Sequence, residues 1–183
     1  MKARKSKSEQ PEIGTHLARV VRLAALGHQP AWEYNGEEVP SSHQLEITYE
    51  LVNTLMKDGK PFFVSEQLKN SDNEASSLSV RVAATGASFD KLEEMLEKPV
   101  MVTVKLSQKG RAQVAGKGGV SGVPVGMPIP DLVNEPKSFD PYSENVDMEE
   151  FDSFPEWKQD SFKKALDFGE MVLSRKLAEE NNL

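Results

Sequence analysis

Cysteine is absent from this 183-residue chain, so it can form no disulfide and offers no thiolate as nucleophile or metal ligand. That composition suits a reducing compartment, and a cytoplasmic protein is expected. No run approaches the roughly eighteen apolar residues of a membrane-spanning helix, so no membrane association is expected. The opening MKARKSKSEQ is basic but lacks an apolar block behind it and does not read as a secretory signal. Phosphate-cradling loops are missing too. Gly110, Gly116, Gly118 and Gly119 fit neither GxxxxGKS/T nor a GxGxxG between strand and helix, and AGKGG reads as a flexible hairpin. His16, His28 and His43 have no HExxH or EF-hand context, which leaves no metal site to expect. With no nucleophile, cofactor motif or general acid–base set, an enzyme is not expected.

What is present is a charge asymmetry. The chain carries a net −7, yet residues 131–183 hold fourteen acidic and six basic groups, whereas residues 1–130 hold fifteen acidic and sixteen basic. A near-neutral body can still display a positive groove.

Residues 1–13, with Lys2, Arg4, Lys5 and Lys7, read as a disordered basic tail. From Gly14, THLARVVRLAAL reads as a strand that breaks at Gly27 to Pro30. Residues 28–43 read as a loop with an Asn35-Gly36 turn signal. QLEITYELV (44–52) alternates with period two, placing Leu45, Ile47, Tyr49 and Leu51 on one face. Asp58-Gly59 signals a hairpin to FFVSEQL (62–68). LSVRVAA (78–84) is read as a strand, with a short helix as the alternative. Ser88 is expected to cap a helix carrying Phe89, Leu92 and Leu96. VMVTVKLS (100–107) is a further strand, and Lys109-Gly110 turns it toward a last short one. Residues 121–152 read as a Pro/Gly-rich and then acidic linker or strap, in which Asp147, Glu149, Glu150 and Asp152 are expected to be solvated. Ser153-Phe-Pro-Glu156 matches a capping box opening one docking helix over 153–180, with Trp157 as a docking residue. The expected fold is thus mainly β: a five-stranded OB-like barrel over 14–120 with a short helix, then an extended acidic segment and a C-terminal helix. A small β-sandwich would give much the same pattern.

The ordered residues resemble the small OB-fold single-stranded DNA-binding proteins of tailed bacteriophages. The resemblance spans residues 14–180. It rests on Gly14-Thr15-His16-Leu17-Ala18-Arg19-Val20-Val21, Leu26-Gly27-His28-Gln29-Pro30 and Leu45-Glu46-Ile47-Thr48-Tyr49-Glu50-Leu51. It continues through Asp58-Gly59-Lys60-Pro61, Leu96-Glu97-Lys98-Pro99-Val100 and Phe154-Pro155-Glu156-Trp157. It implies a non-catalytic role on single-stranded DNA in phage replication, recombination or repair. It also implies partners among phage or host replication and recombination proteins, in the cytoplasm of an infected bacterium. Many such proteins end in an acidic tail with a terminal aromatic residue. Here the densest acidity is internal, so tail-mediated recruitment does not carry over.

Single-strand binding needs cations that follow phosphates and rings that stack on bases. Arg19 and Arg22 on the first strand, and Trp32 and Tyr34 in the loop after it, are the first candidates; the competing role is ordinary surface and core edge. Of the adjacent Phe62 and Phe63, one points in and the other out, and Phe62 is taken as the stacking candidate. Lys69, Arg81, Lys105, Lys109, Arg111 and Lys117 complete the expected DNA-binding set, against solvated surface. A non-catalytic protein-interaction factor acting through the acidic segment and terminal helix is the alternative function. Homodimerisation through that helix or a strand edge is compatible with either.

Overall fold

Two long strands dominate the architecture, β1 (Gly14–Gln29) and β4 (Ser42–Leu55), seen in a computed structural model that describes residues 8–34 and 36–182. They pair antiparallel from Ala18 opposite Leu51 to Gln29 opposite Ser42. β5 (Pro61–Lys69) returns along β4, and β6 (Pro99–Leu106) pairs with the first half of β1. β7 (Ala112–Val114) folds back on β6, giving the order β5-β4-β1-β6-β7. β5 and β7 approach each other, so five antiparallel strands nearly close a barrel. β8 (Val120–Ser121) adds a short pairing to β6.

The barrel core follows from alternation. Leu45, Ile47, Tyr49 and Leu51 point inward as their spacing predicts, and meet Val100, Val102 and Val104. Leu106, the next residue in that β6 pattern, lies at the strand end and is exposed. The register of β1 against β4 shifts between Val20 and Arg22 and again between Ala25 and Gly27. Such bulges bend a strand, which lets β1 serve both β6 and β4. Gly27 is therefore a left-handed position inside β1 (φ +76°), not the expected break.

Several local expectations change. LSVRVAA lies in α1 (Ser77–Thr85), capped by Ser76 accepting the Ser79 amide and closed by Gly86 in the left-handed region. The helix expected after Ser88 shrinks to one 3-10 turn at Leu92–Met95. Residues 28–43 contain a hairpin of β2 (Trp32–Tyr34) and β3 (Glu37–Val39); Asn35 lies outside the described residues. So do residues 1–7 of the expected basic tail, while Glu9 and Gln10 bond to distant backbone.

The segment after β8 crosses the barrel as a pinned strap. Arg19 donates to the carbonyls of Ile129, Pro130 and Glu97, at 3.3, 2.8 and 2.8 Å. The buried Glu50 carboxylate accepts the Val133 amide at 2.6 Å and the Asn134 amide and side chain at 3.2 and 2.8 Å. β9 (Lys137–Phe139) then pairs parallel with β1. Three helices follow: α2 (Met148–Ser153), α3 (Glu156–Lys163) and α4 (Val172–Asn181). The single expected helix over 153–180 is broken because the chain turns at Phe154-Pro155 and again between Ala165 and Met171. Ser153 donates to the Glu150 carbonyl instead of capping, so no capping box forms. Phe139, Phe151, Phe154 and Phe162 build a second core, with ring centroids 5.1–6.3 Å apart, on Ala24 and Leu26 of β1. Glu150, expected to be solvated, is buried between Arg22 (2.9 Å) and Lys137 (3.2 Å). Among the described residues, no helix is long and apolar enough to cross a membrane.

Candidate nucleic-acid interface

Because side chains alternate along a strand, FFVSEQL presents Phe62 and Val64 to the core and Phe63, Ser65 and Gln67 outward. Phe62 is buried and Phe63 is 48% exposed, so the expected stacking ring is replaced by its neighbour. On β4, Glu46 and Thr48 point the same way, and Thr48 Oγ1 meets Ser65 Oγ at 2.8 Å. This outer face floors a cleft of about 530 Å³. Its barrel side consists of Val21, Arg22, Glu46, Thr48, Phe63 and Ser65. Its other wall consists of Asn134 and Glu135 from the strap and Phe154, Pro155, Trp157 and Lys158 around the start of α3. Trp157, expected to dock, is instead 66% exposed at this wall.

The cations of the cleft are held from behind. The Arg22 guanidinium pairs with Glu150 and lies 5.5 Å from the Phe154 ring centroid. Lys158 pairs with Glu46 and sits 4.3 Å above the same ring. Lys158 is buried, whereas Arg22 keeps about a third of its side chain exposed. Arg22 is thus the cation that remains open to a ligand in this cleft.

Ser65 also lines a second groove of about 380 Å³ between β5 and the β6–β7 pair, which carries Gln67, Lys105, Gln113 and Lys117. The two depressions therefore adjoin. Arg81 lies beneath this groove, buried, and is not a surface cation. Its Nε and Nη2 donate to the two Glu66 oxygens at 2.9 and 2.7 Å, and its remaining donors reach the carbonyls of Gly116 and Lys117. Tyr49 donates to Glu66 at 2.6 Å. Burial pushes the Tyr49 phenol well above its usual range, and the Glu66 charge adds to that. Burial works against the Arg81 charge as well, but the Glu66 carboxylate outweighs it and raises the guanidinium pKa.

The other expected residues divide. Arg19 is spent on the strap. Trp32 and Tyr34 are exposed with centroids 5.6 Å apart, on a hairpin that also carries Glu33, Glu37 and Glu38. Lys69 is exposed at the end of β5, opposite Gln44. Lys109 and Arg111 are exposed on the β6–β7 hairpin. Lys117 donates to the Ala75 carbonyl at 2.5 Å. Phe63 had a signal in the sequence, since Ser65 and Gln67 mark its face as the outer one. Trp157 had none, because its exposure depends on how α3 docks. Among the described residues no cluster of His, Asp and Glu is arranged to hold a metal. Comparisons with protein-family models, curated proteins and solved structures find no match to the chain.

Proposed function

We propose that the chain binds single-stranded DNA without altering it chemically, as a sequence-tolerant OB-type binding protein of phage replication, recombination or repair in the infected cell. The observation that carries this reading is the pair of exposed rings, Phe63 and Trp157, on one cleft over the outer face of the barrel. That face is the one that oligonucleotide-binding barrels use. Stacking on flat rings is tolerant of base order, and the neighbouring groove with Lys105 and Lys117 offers charge for the backbone. The opening is bounded by the strap and α3, which suits a splayed single strand better than a duplex.

Fluorescence anisotropy of a labelled strand of about thirty nucleotides, with a duplex control at two salt concentrations, tests the reading directly. Phe63→Ala and Trp157→Ala should each weaken binding by about 1–3 kcal/mol, the range for one base–aromatic stack. The chain has two tryptophans, so Trp32→Phe leaves Trp157 as the sole indole reporter, and its fluorescence should be quenched on binding. Absence of single-strand binding at low salt refutes the function. Binding without Trp157 quenching, and indifferent to both alanine variants, refutes the site.

A further inference from the structure

We propose that the β2–β3 hairpin is a docking arm for a partner protein whose surface presents arginine side chains. This goes beyond the single-strand reading above and does not depend on it. The hairpin forms a two-stranded sheet of its own and belongs to neither core. Its register sets Trp32 opposite Val39, Glu33 opposite Glu38 and Tyr34 opposite Glu37. Residues directly opposite each other share a face, and neighbours along a strand alternate. One face therefore carries Trp32, Tyr34, Glu37 and Val39, and the other carries Glu33 and Glu38. Trp32 and Tyr34 are 52% and 57% exposed, with ring centroids 5.6 Å apart. Among the described residues, none of the three glutamates forms an ion pair.

Charge decides what covers these rings. The hairpin holds three carboxylates and, among its described residues, no cation. Glu33 and Glu38 are like charges set directly across the ladder, which destabilises a strand pair. A hairpin with three residues in each strand is marginal in water even without that cost. A cation supplied from outside turns the opposed carboxylates from a cost into contacts. Phosphates are repelled from this surface, and a purely apolar partner would leave three charges unmatched. Arginine answers both features, because its guanidinium stacks on tryptophan and tyrosine rings and pairs with carboxylates. There is room for it: Ala31, Trp32, Glu33, Gly36 and Glu38 line a hollow of about 390 Å³. Trp32 and both members of the opposed carboxylate pair thus share one hollow. Tryptophan, tyrosine and arginine are also the residues that dominate the energetics of protein interfaces.

The test is fluorescence anisotropy of a labelled octa-arginine peptide titrated with the full chain at low salt, with labelled octa-lysine as the comparison. Octa-arginine should bind more tightly, because the planar guanidinium stacks on rings and the ammonium does not. W32A/Y34A should weaken octa-arginine by about 5- to 30-fold, the equivalent of one cation–π contact per ring, and close the gap between the peptides. E33Q/E37Q/E38Q removes the like-charge pair, so it cannot lose binding by loosening the hairpin, and it should weaken both peptides. D90N/E93Q/E94Q, a charge-matched set of exposed carboxylates on the 88–98 segment, should leave both nearly unchanged. Melting temperatures should not move in the hairpin variants, since the hairpin lies outside both cores. An equal loss in D90N/E93Q/E94Q overturns the proposal, because the effect would be one of net charge. So does an arginine preference that survives W32A/Y34A. If W32A/Y34A weakens binding of the labelled single strand, the hairpin is a nucleic-acid surface and the proposal fails. A dimer of the chain alone that W32A/Y34A dissolves would make the occupant a second copy and overturn it likewise. If the unaltered chain binds no single strand while the peptide results hold, the strand reading fails and the docking arm stands.

Discussion

Gly27→Ala tests whether the helical segment and the barrel form one cooperative unit. Gly27 sits inside β1 at φ +76°, where its missing side chain admits the turn between α3 and α4. A Cβ there would lie against the Met171 side chain, 3.0 Å from Asp167 Oδ1 and 3.2 Å from Ala165 Cβ. The backbone conformation alone costs a non-glycine residue about 1–2 kcal/mol. Forcing a methyl group into a packed contact adds about 1–3 kcal/mol. The expected loss is therefore about 2–5 kcal/mol, a large part of the stability of a small protein. Urea denaturation followed by far-UV circular dichroism and, in a Trp32→Phe background, by Trp157 fluorescence measures it. Coincident transitions shifted to lower urea are expected, because β1 belongs to both cores. A loss no larger than the backbone cost of about 1–2 kcal/mol would refute the steric argument. A Trp157 transition that moves alone would refute the single cooperative unit.

Two further predictions concern buried charge. Arg81→Ala leaves the Glu66 carboxylate with the Tyr49 hydroxyl alone and takes a donor from the Gly116 and Lys117 carbonyls, of which Gly116 keeps the Gly119 amide, so it should destabilise by about 3–5 kcal/mol in the same urea assay. A loss under about 1 kcal/mol would show that Arg81 is not the centre of that network. Asp167 is lowered below the usual carboxylate range; burial opposes this, but hydrogen bonds from Tyr142 and the His28 amide outweigh it. A lowered folded pKa contributes stability that is present above the unfolded value near 4 and is lost as pH falls through the folded one. Tyr142→Phe removes one of the two bonds, so its destabilisation should be largest near neutral pH and shrink below about pH 4 in melting curves. A penalty that stays constant down to pH 2 would refute this linkage.

The β framework was legible because period-two alternation survives in 44–52, 62–68 and 100–107, where one face meets the core. What escaped were features fixed by distant partners. LSVRVAA alternates like a strand, yet Ser76 and Gly86 cap it as a helix, and Arg81 is drawn inward by Glu66 rather than outward by solvent. Both capping residues stand in the sequence; the β-branched valines masked them. β9 is three residues long, and its parallel pairing with Arg22–Ala24 leaves no local periodicity. The acidic stretch likewise gave no sign that Glu150 would be buried, since its partners Arg22 and Lys137 come from β1 and β9. The outward turn of Phe63 was readable from its neighbours, whereas the exposure of Trp157 was set only when α3 met the barrel.

Two exposed aromatic pairs compete for the role of base-stacking surface, and charge separates them. Trp32 and Tyr34 stand on a two-stranded hairpin whose other exposed side chains include Glu33, Glu37 and Glu38. A phosphate drawn along those rings would meet repulsion, and no described cation on the hairpin offsets it. Phe63 and Trp157 share their cleft with Arg22, which Glu150 and Phe154 hold in place while its outer edge stays open. Glu46 and Glu135 also line that cleft, so with Lys158 its charged residues come to no net charge, against three carboxylates and no cation on the hairpin. Much of the acidity that makes the chain net −7 lies elsewhere or is consumed internally, as with Glu50 on the strap and Glu66 on Arg81. Global charge therefore says little about binding. The local balance favours the cleft that the barrel and α3 build together, and under the proposed reading the helical segment is a wall of that cleft.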